Sequence, residues 1–176
     1  MSRRTMYLIV ALSLLSACAI APEAGNALPV VDGKGIRDLG GGPFLLDFLA
    51  IKADTEDRVV LEFETGAPAR RLSRVVLKIP VKNLDEGGET GVIDIYAFIG
   101  DGKVNAEDFD AGKRVAQVEA PASSALRVDV TDAFLAAMDR NEKFIGLRLS
   151  TETDDRYFLG AIADVPDPTL RKRYGD

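Results

Sequence analysis

The side chains that do covalent chemistry in most enzymes are nearly missing from this chain. Its 176 residues include no His and one Cys, Cys18. Without imidazole, neither a Ser-His nor a Cys-His nucleophile can be assembled, and a zinc site loses its preferred ligands. There is no Walker-type phosphate loop and no strand-linked glycine fingerprint for dinucleotides. Carboxylates remain, with 28 Asp and Glu against 22 Lys and Arg. Two acids about 5–9 Å apart in a cleft can hydrolyse a glycosidic bond. That leaves a carboxylate-dependent glycan-active enzyme as the less favoured alternative, since acids on an acidic chain are mostly solvated surface charge. The residues point to a protein that is not an enzyme.

Three sets of residues could bind rather than react. The stretch Asp101-Gly102-Lys103-Val104-Asn105-Ala106-Glu107-Asp108 resembles the second half of a dockerin or EF-hand calcium loop, with Asp101, Asn105 and Asp108 as metal candidates. Such a loop also needs oxygen ligands at its first and third positions, and those are Ala97 and Ile99 here. Calcium is therefore disfavoured, and no cofactor is expected. The competing reading is a tight turn, Gly100-Asp101-Gly102, with Asn105 capping one helical turn over 106–109. The second set is a basic stripe in an acidic protein: Arg70, Arg71, Arg74, Lys78 and Lys82. It reads as a solvated edge strand defended by charge, or as a surface for an acidic polysaccharide. Arg70, Arg71, Arg74 and Lys78 are thus candidate ligand-binding residues, together with Tyr96. Rings are the third set. Tyr96, Phe98, Tyr157 and Phe158 lie on expected strands, where aromatics serve as core more often than as sugar platforms. The short basic run Arg171-Lys172-Arg173 could touch lipid headgroups, but is small for that purpose.

The N-terminus specifies a location. Ser2-Arg3-Arg4 is a positive n-region, and Met6 to Leu15 is an apolar run of about ten residues, too short to span a bilayer. Leu15-Ser16-Ala17-Cys18 then closes the run. This resembles a bacterial lipoprotein signal with its lipobox. The resemblance implies cleavage before Cys18, acylation at Cys18, and a membrane partner reached through that lipid. Ala19, in place of an Asp, implies a cell-envelope protein of the outer membrane. Removing 1–17 takes away Arg3 and Arg4 and no acid, leaving 20 basic and 28 acidic side chains. A chain so charged repels nucleic acid on average, so no nucleic-acid partner is expected. The expected organisation is a signal peptide over 1–17, a tether and leading loop over 18–43, and one domain over 44–176.

The elements that must position these residues are strands. Phe44 to Lys52 is an apolar run of strand length. Val59, Leu61 and Phe63 alternate with Glu62 and Glu64. Val75, Leu77, Ile79 and Val81 alternate with Arg74, Lys78 and Lys82, and Pro80 predicts an edge or a bulge there. Val92 to Ile99 is apolar on both faces apart from Asp94, as in a central strand. Val115–Val118 is weak, whereas Leu126–Val130 and Phe144–Leu149 alternate cleanly; Tyr157–Leu159 is short. Leu61, Phe63, Leu77, Ile79, Ile95, Val128, Val130, Leu147 and Leu149 should be buried, with Glu62, Lys78, Arg127 and Arg148 exposed. Phe134, Leu135 and Met138 instead form a helical stripe over about 132–140, with Thr131 as its cap. The fold class is all-β: an antiparallel jelly-roll-like β-sandwich with one short helix.

The order of these pieces resembles the DNRLRE-type domains, a jelly-roll family that includes alginate-binding carbohydrate-binding modules. The resemblance lies in Arg58-Val59-Val60-Leu61-Glu62-Phe63, Leu77-Lys78-Ile79, Ile93-Asp94-Ile95-Tyr96, Val128-Asp129-Val130-Thr131, Gly146-Leu147-Arg148-Leu149 and Pro168-Thr169-Leu170. The chain departs from the family in having no Trp. Two readings stay open: a lipid-anchored, non-catalytic binding or scaffolding module meeting an envelope protein or polysaccharide, and, as the resemblance implies, a carbohydrate-binding module for an acidic polysaccharide.

Overall fold

A computed structural model describes residues 27–66, 72–83, 91–120, 123–159 and 169–174. Twelve strands and one α-helix run in the order β1 Ala27–Pro29, β2 Asp32–Arg37, β3 Phe44–Leu46, β4 Ala50–Ile51, β5 Arg58–Glu64, β6 Leu72–Asn83, β7 Val92–Gly100, β8 Lys113–Glu119, β9 Ser123–Asp129, α1 Thr131–Asp139, β10 Phe144–Thr151, β11 Tyr157–Phe158 and β12 Thr169–Tyr174. A 3₁₀ turn, Ala106–Asp110, lies between β7 and β8. Every strand pairing is antiparallel, in two six-stranded sheets. The first sheet is built on β6, which has β9 along one side and β12 followed by β11 along the other. The second runs β3-β2-β5-β10-β7-β8.

The two sheets bury their alternating faces against each other, giving the jelly-roll-like sandwich with one short helix. Leu61, Phe63 and Val59 from β5, Leu77 and Ile79 from β6, Ile93 and Ile95 from β7, and Leu147 and Leu149 from β10 form one continuous core. All nine residues expected inside are buried. Helix α1 closes one end by packing Phe134 and Ala137 onto that core. Thr131 is the helix's first residue and not its cap. Its hydroxyl accepts the Val75 N–H at 2.9 Å, and Asp129 accepts the Thr131 N–H at 3.1 Å.

Several elements differ from the expectation. Residues 27–37, within the segment read as tether and loop, supply β1 and β2, which pair with β12 and β5. Glycine hides the pattern: a side chain at Gly35 would collide with the Phe48 carbonyl, so this strand cannot show an apolar alternation there. The run 44–52 breaks into β3 and β4, which belong to different sheets. The Pro80 strand, β6, is not an edge. Pro80 is paired with Ala125 of β9, and along the other side of the strand lie β12, paired as far as Lys78 among the described residues, and β11, paired from Lys82.

Glu62 and Arg148, expected on a solvated face, are buried, and Lys78 is half-buried. The period is right, but part of the outer face of the second sheet, which carries Glu62 and Arg148, is covered. The loop after β7 folds back over it, and Val104 and Phe109 pack on Ile36 and Val60, with Phe98 beside them. Gly146 of β10 leaves room for the Phe98 ring, which a side chain there would overlap.

Candidate functional site

Two solvent-facing surfaces gather the polar residues, one on each sheet. On the first sheet, β6 presents Arg74, Lys78 and Lys82 outward, since Val75, Leu77, Ile79 and Val81 between them are buried. Pairing then sets Arg127 of β9 opposite Lys78, Arg173 of β12 opposite Arg74, and Arg171 opposite Val76 on the same face. Three adjacent strands thus carry Arg74, Lys78, Lys82, Arg127, Arg171 and Arg173 outward, with Asp129 as their one acid among the described residues. Asp129 bonds Arg74 at 2.9 Å, and both are about half exposed, with side chains 55% and 49% accessible. The Thr131 hydroxyl and N–H, followed by Arg74, hold the Asp129 carboxyl below its ordinary range. Lys172, between the two β12 arginines, points inward and donates to the Thr65 carbonyl at 2.6 Å.

The second surface is a cleft on the outer face of the second sheet, about 400 Å³, lined by Tyr96, Arg148, Asp94, Arg58, Asp57 and Glu152 among others. Arg148 is 6% exposed. Its guanidinium lies 3.8 Å above the centre of the Tyr96 ring, its cross-strand neighbour, and its Nε donates to the Ala111 carbonyl at 2.8 Å. Burial lowers the Arg148 pKa from its ordinary value, Arg58 adds to this, and Tyr96 and Asp110 oppose it. The buried acids of the cleft are each held by an arginine. Arg37 makes a two-pronged contact to Asp57 through Nε and, at 2.7 Å, Nη2, and the Asp57 hydrogen bond raises the Arg37 pKa. Asp94 accepts from Gln117 at 3.0 Å and Arg114 at 3.3 Å. Arg58 pairs with Asp110 and stacks on Phe109 at 3.7 Å.

The structure therefore separates the expected binding residues. Arg74 and Lys78 lie on the first sheet, and Tyr96 on the outside of the second. Arg70, Arg71 and Cys18 lie outside the described residues. Of the other rings, Tyr157 is core, its hydroxyl accepting the Gly91 N–H at 3.0 Å, and Phe98 packs over Gly146. The loop Asp101–Asp108 uses its side chains on its own backbone: Asp101 accepts from Lys103 N–H, Asn105 from Glu107 N–H, and Asp108 from Asn105 N–H, each at 2.9 Å. Asn105 caps the 3₁₀ turn. Among the described residues no cluster of three acids is placed to hold a metal ion. Sequence reasoning missed Arg127, Arg171 and Arg173 as companions of Lys78, because only strand pairing brings them together. It also missed Arg148, whose alternation marked it as solvated.

No protein-family model matches the chain, and no curated protein sequence matches it. Among solved structures the fold is similar to a xylan-binding module CBM15, with 14% identity and a TM-score of 0.45 over 86% of this chain and 100% of that one. It is also similar to a mutant Xylanase10C from Cellvibrio japonicus in complex with xylopentaose, with 13% identity and a TM-score of 0.44 over 81% of this chain. The chain spans 27% of the length of that xylanase.

Proposed function

We propose that this chain is a lipid-anchored, non-catalytic module of the cell envelope that binds an acidic polysaccharide across the outer face of its first sheet. The observation that carries this reading is the concentration of outward cations on β6, β9 and β12 in a chain whose net charge is −6. A sheet face with cations spaced along three strands fits a polymer with repeated negative charges. The acidic remainder of the protein keeps such a polymer from settling elsewhere. Glycan hydrolysis is not part of the reading, since the cleft acids Asp57 and Asp94 are held by arginines.

Retention on immobilised polyuronate tests it. The wild type should be retained at low salt and released as ionic strength rises, because exposed charges are screened over about 8 Å at physiological salt. The double variant Lys78→Glu, Arg127→Glu should melt like the wild type and lose retention by at least roughly tenfold, a change on the order of 1.4 kcal/mol. Equal retention of the two proteins would sink the proposal.

A further inference from the structure

Arg148 raises a separate question. An arginine that is 6% exposed normally has a carboxylate beside its guanidinium. The neighbouring arginines do: Arg37 has Asp57, Arg58 has Asp110, and Arg114 has Asp94. Among the described residues no acid is within ion-pair distance of Arg148. It holds one backbone carbonyl through Nε and rests on the Tyr96 ring. It also lines an open cleft of about 400 Å³, within the size range of small-molecule sites.

The geometry points to a binding site for a single sugar acid in this cleft, with Arg148 receiving the ligand's carboxylate. A planar fork prefers a planar two-oxygen anion. The walls restrict the anion further. Glu152, which is exposed and lines the same cleft, disfavours a doubly charged phosphate or sulfate but accepts hydrogen bonds from hydroxyls. Tyr96 gives the ring carbons an apolar side. A monoanion bearing several hydroxyls meets all three conditions. The site lies on the sheet opposite the basic face. It rests on the acidic-glycan reading only in the ligand's class and would take a terminal or branch unit rather than a polymer backbone.

The test is a calorimetric and NMR titration of the protein with sodium glucuronate, methyl glucoside and sodium sulfate. Glucuronate should bind with a millimolar Kd and shift the Tyr96 and Arg148 signals, with the other two at least tenfold weaker. Arg148→Lys keeps the charge, loses the fork, and should weaken glucuronate tenfold or more. Ser150→Phe, which fills the cleft beside Arg148 and keeps the guanidinium, should do the same and serves if the lysine variant fails to fold. Three results would overturn the assignment: equal binding of glucoside or sulfate, no binding of glucuronate, or a folded variant that binds like the wild type. Lys78→Glu with Arg127→Glu should leave the glucuronate titration unchanged. If polymer retention fails while glucuronate binds, the basic-face reading falls alone; if glucuronate fails while the polymer is retained, the cleft assignment does.

Discussion

Glu62 places its carboxylate against Gly100 and Gly102, where any larger residue at 100 would collide with it. Oε2 accepts the Gly102 N–H at 2.7 Å, while Oε1 is buried without a hydrogen-bond partner. Burial raises the Glu62 pKa above its ordinary value; the Gly102 N–H opposes this, and Asp108 and Asp101 reinforce it. A carboxyl whose folded pKa exceeds its unfolded one binds more protons in the native state. Its contribution to stability is complete below the ordinary carboxyl pKa and is lost as pH rises through the raised one. Glu62→Gln should therefore melt higher than the wild type at pH 7, by about 1 kcal/mol or roughly 2–4 °C, and the gap should close as pH falls. Thermal melts from pH 4 to 8 check this; a gap that is constant with pH would refute it. The alternation of β5 put Phe63 and Leu61 inside correctly, because the pleat alone decides which side chains share a face. Whether the other face meets water depends on Phe109 and Val104, over 40 residues further on in the chain, and nothing in the β5 alternation reports them.

Element pairing shows a similar division between what is local and what is not. The inward set of β6 was legible, and its place at the centre of the first sheet was not. Pro80 ordinarily argues for an edge, but β6 has β9 along one side and β12 and β11 along the other. The basic face was legible only in part for the same reason: Lys78 and Arg171 are distant in sequence and share a face only through the β6–β12 register. The turn after β7 was the most readable element, since Asn105 and Asp108 form a reciprocal cap within four residues. Those bonds engage the groups a cation would need, and Ala97 and Ile99 bring no side-chain oxygen. Millimolar calcium and a chelator should thus give the same melting temperature within roughly a degree or two, whereas a bound ion at a hundredfold excess over its Kd would add about 2.7 kcal/mol. Asn105→Ala should cost about 1 kcal/mol through the lost cap, with or without calcium. A calcium-dependent rise of several degrees, abolished by Asp101→Ala, would restore the cage.

At the scale of the whole molecule, charge and connection point the same way. The described chain begins at β1, which pairs with β12, so Ala27 lies directly opposite Arg171 at the basic face. From Cys18 to Ala27 the backbone can reach at most about 30 Å. A lipid on Cys18 would then hold the first sheet within that distance of the membrane surface. Each buried methylene of an acyl chain adds roughly 0.8 kcal/mol, so two or three chains on Cys18 would anchor the protein whatever the salt concentration. The basic face, by contrast, would act through exposed charges that salt screens. Membrane fractionation separates the two contributions. The wild type should stay with the membranes in a high-salt wash and leave with detergent. Cys18→Ser should yield an unprocessed or soluble protein, and the Lys78→Glu, Arg127→Glu variant should fractionate like the wild type. If Cys18→Ser is processed normally and remains with the membranes through the high-salt wash, the anchor is not a lipid on Cys18, and the 30 Å limit on the domain's distance from the membrane goes with it.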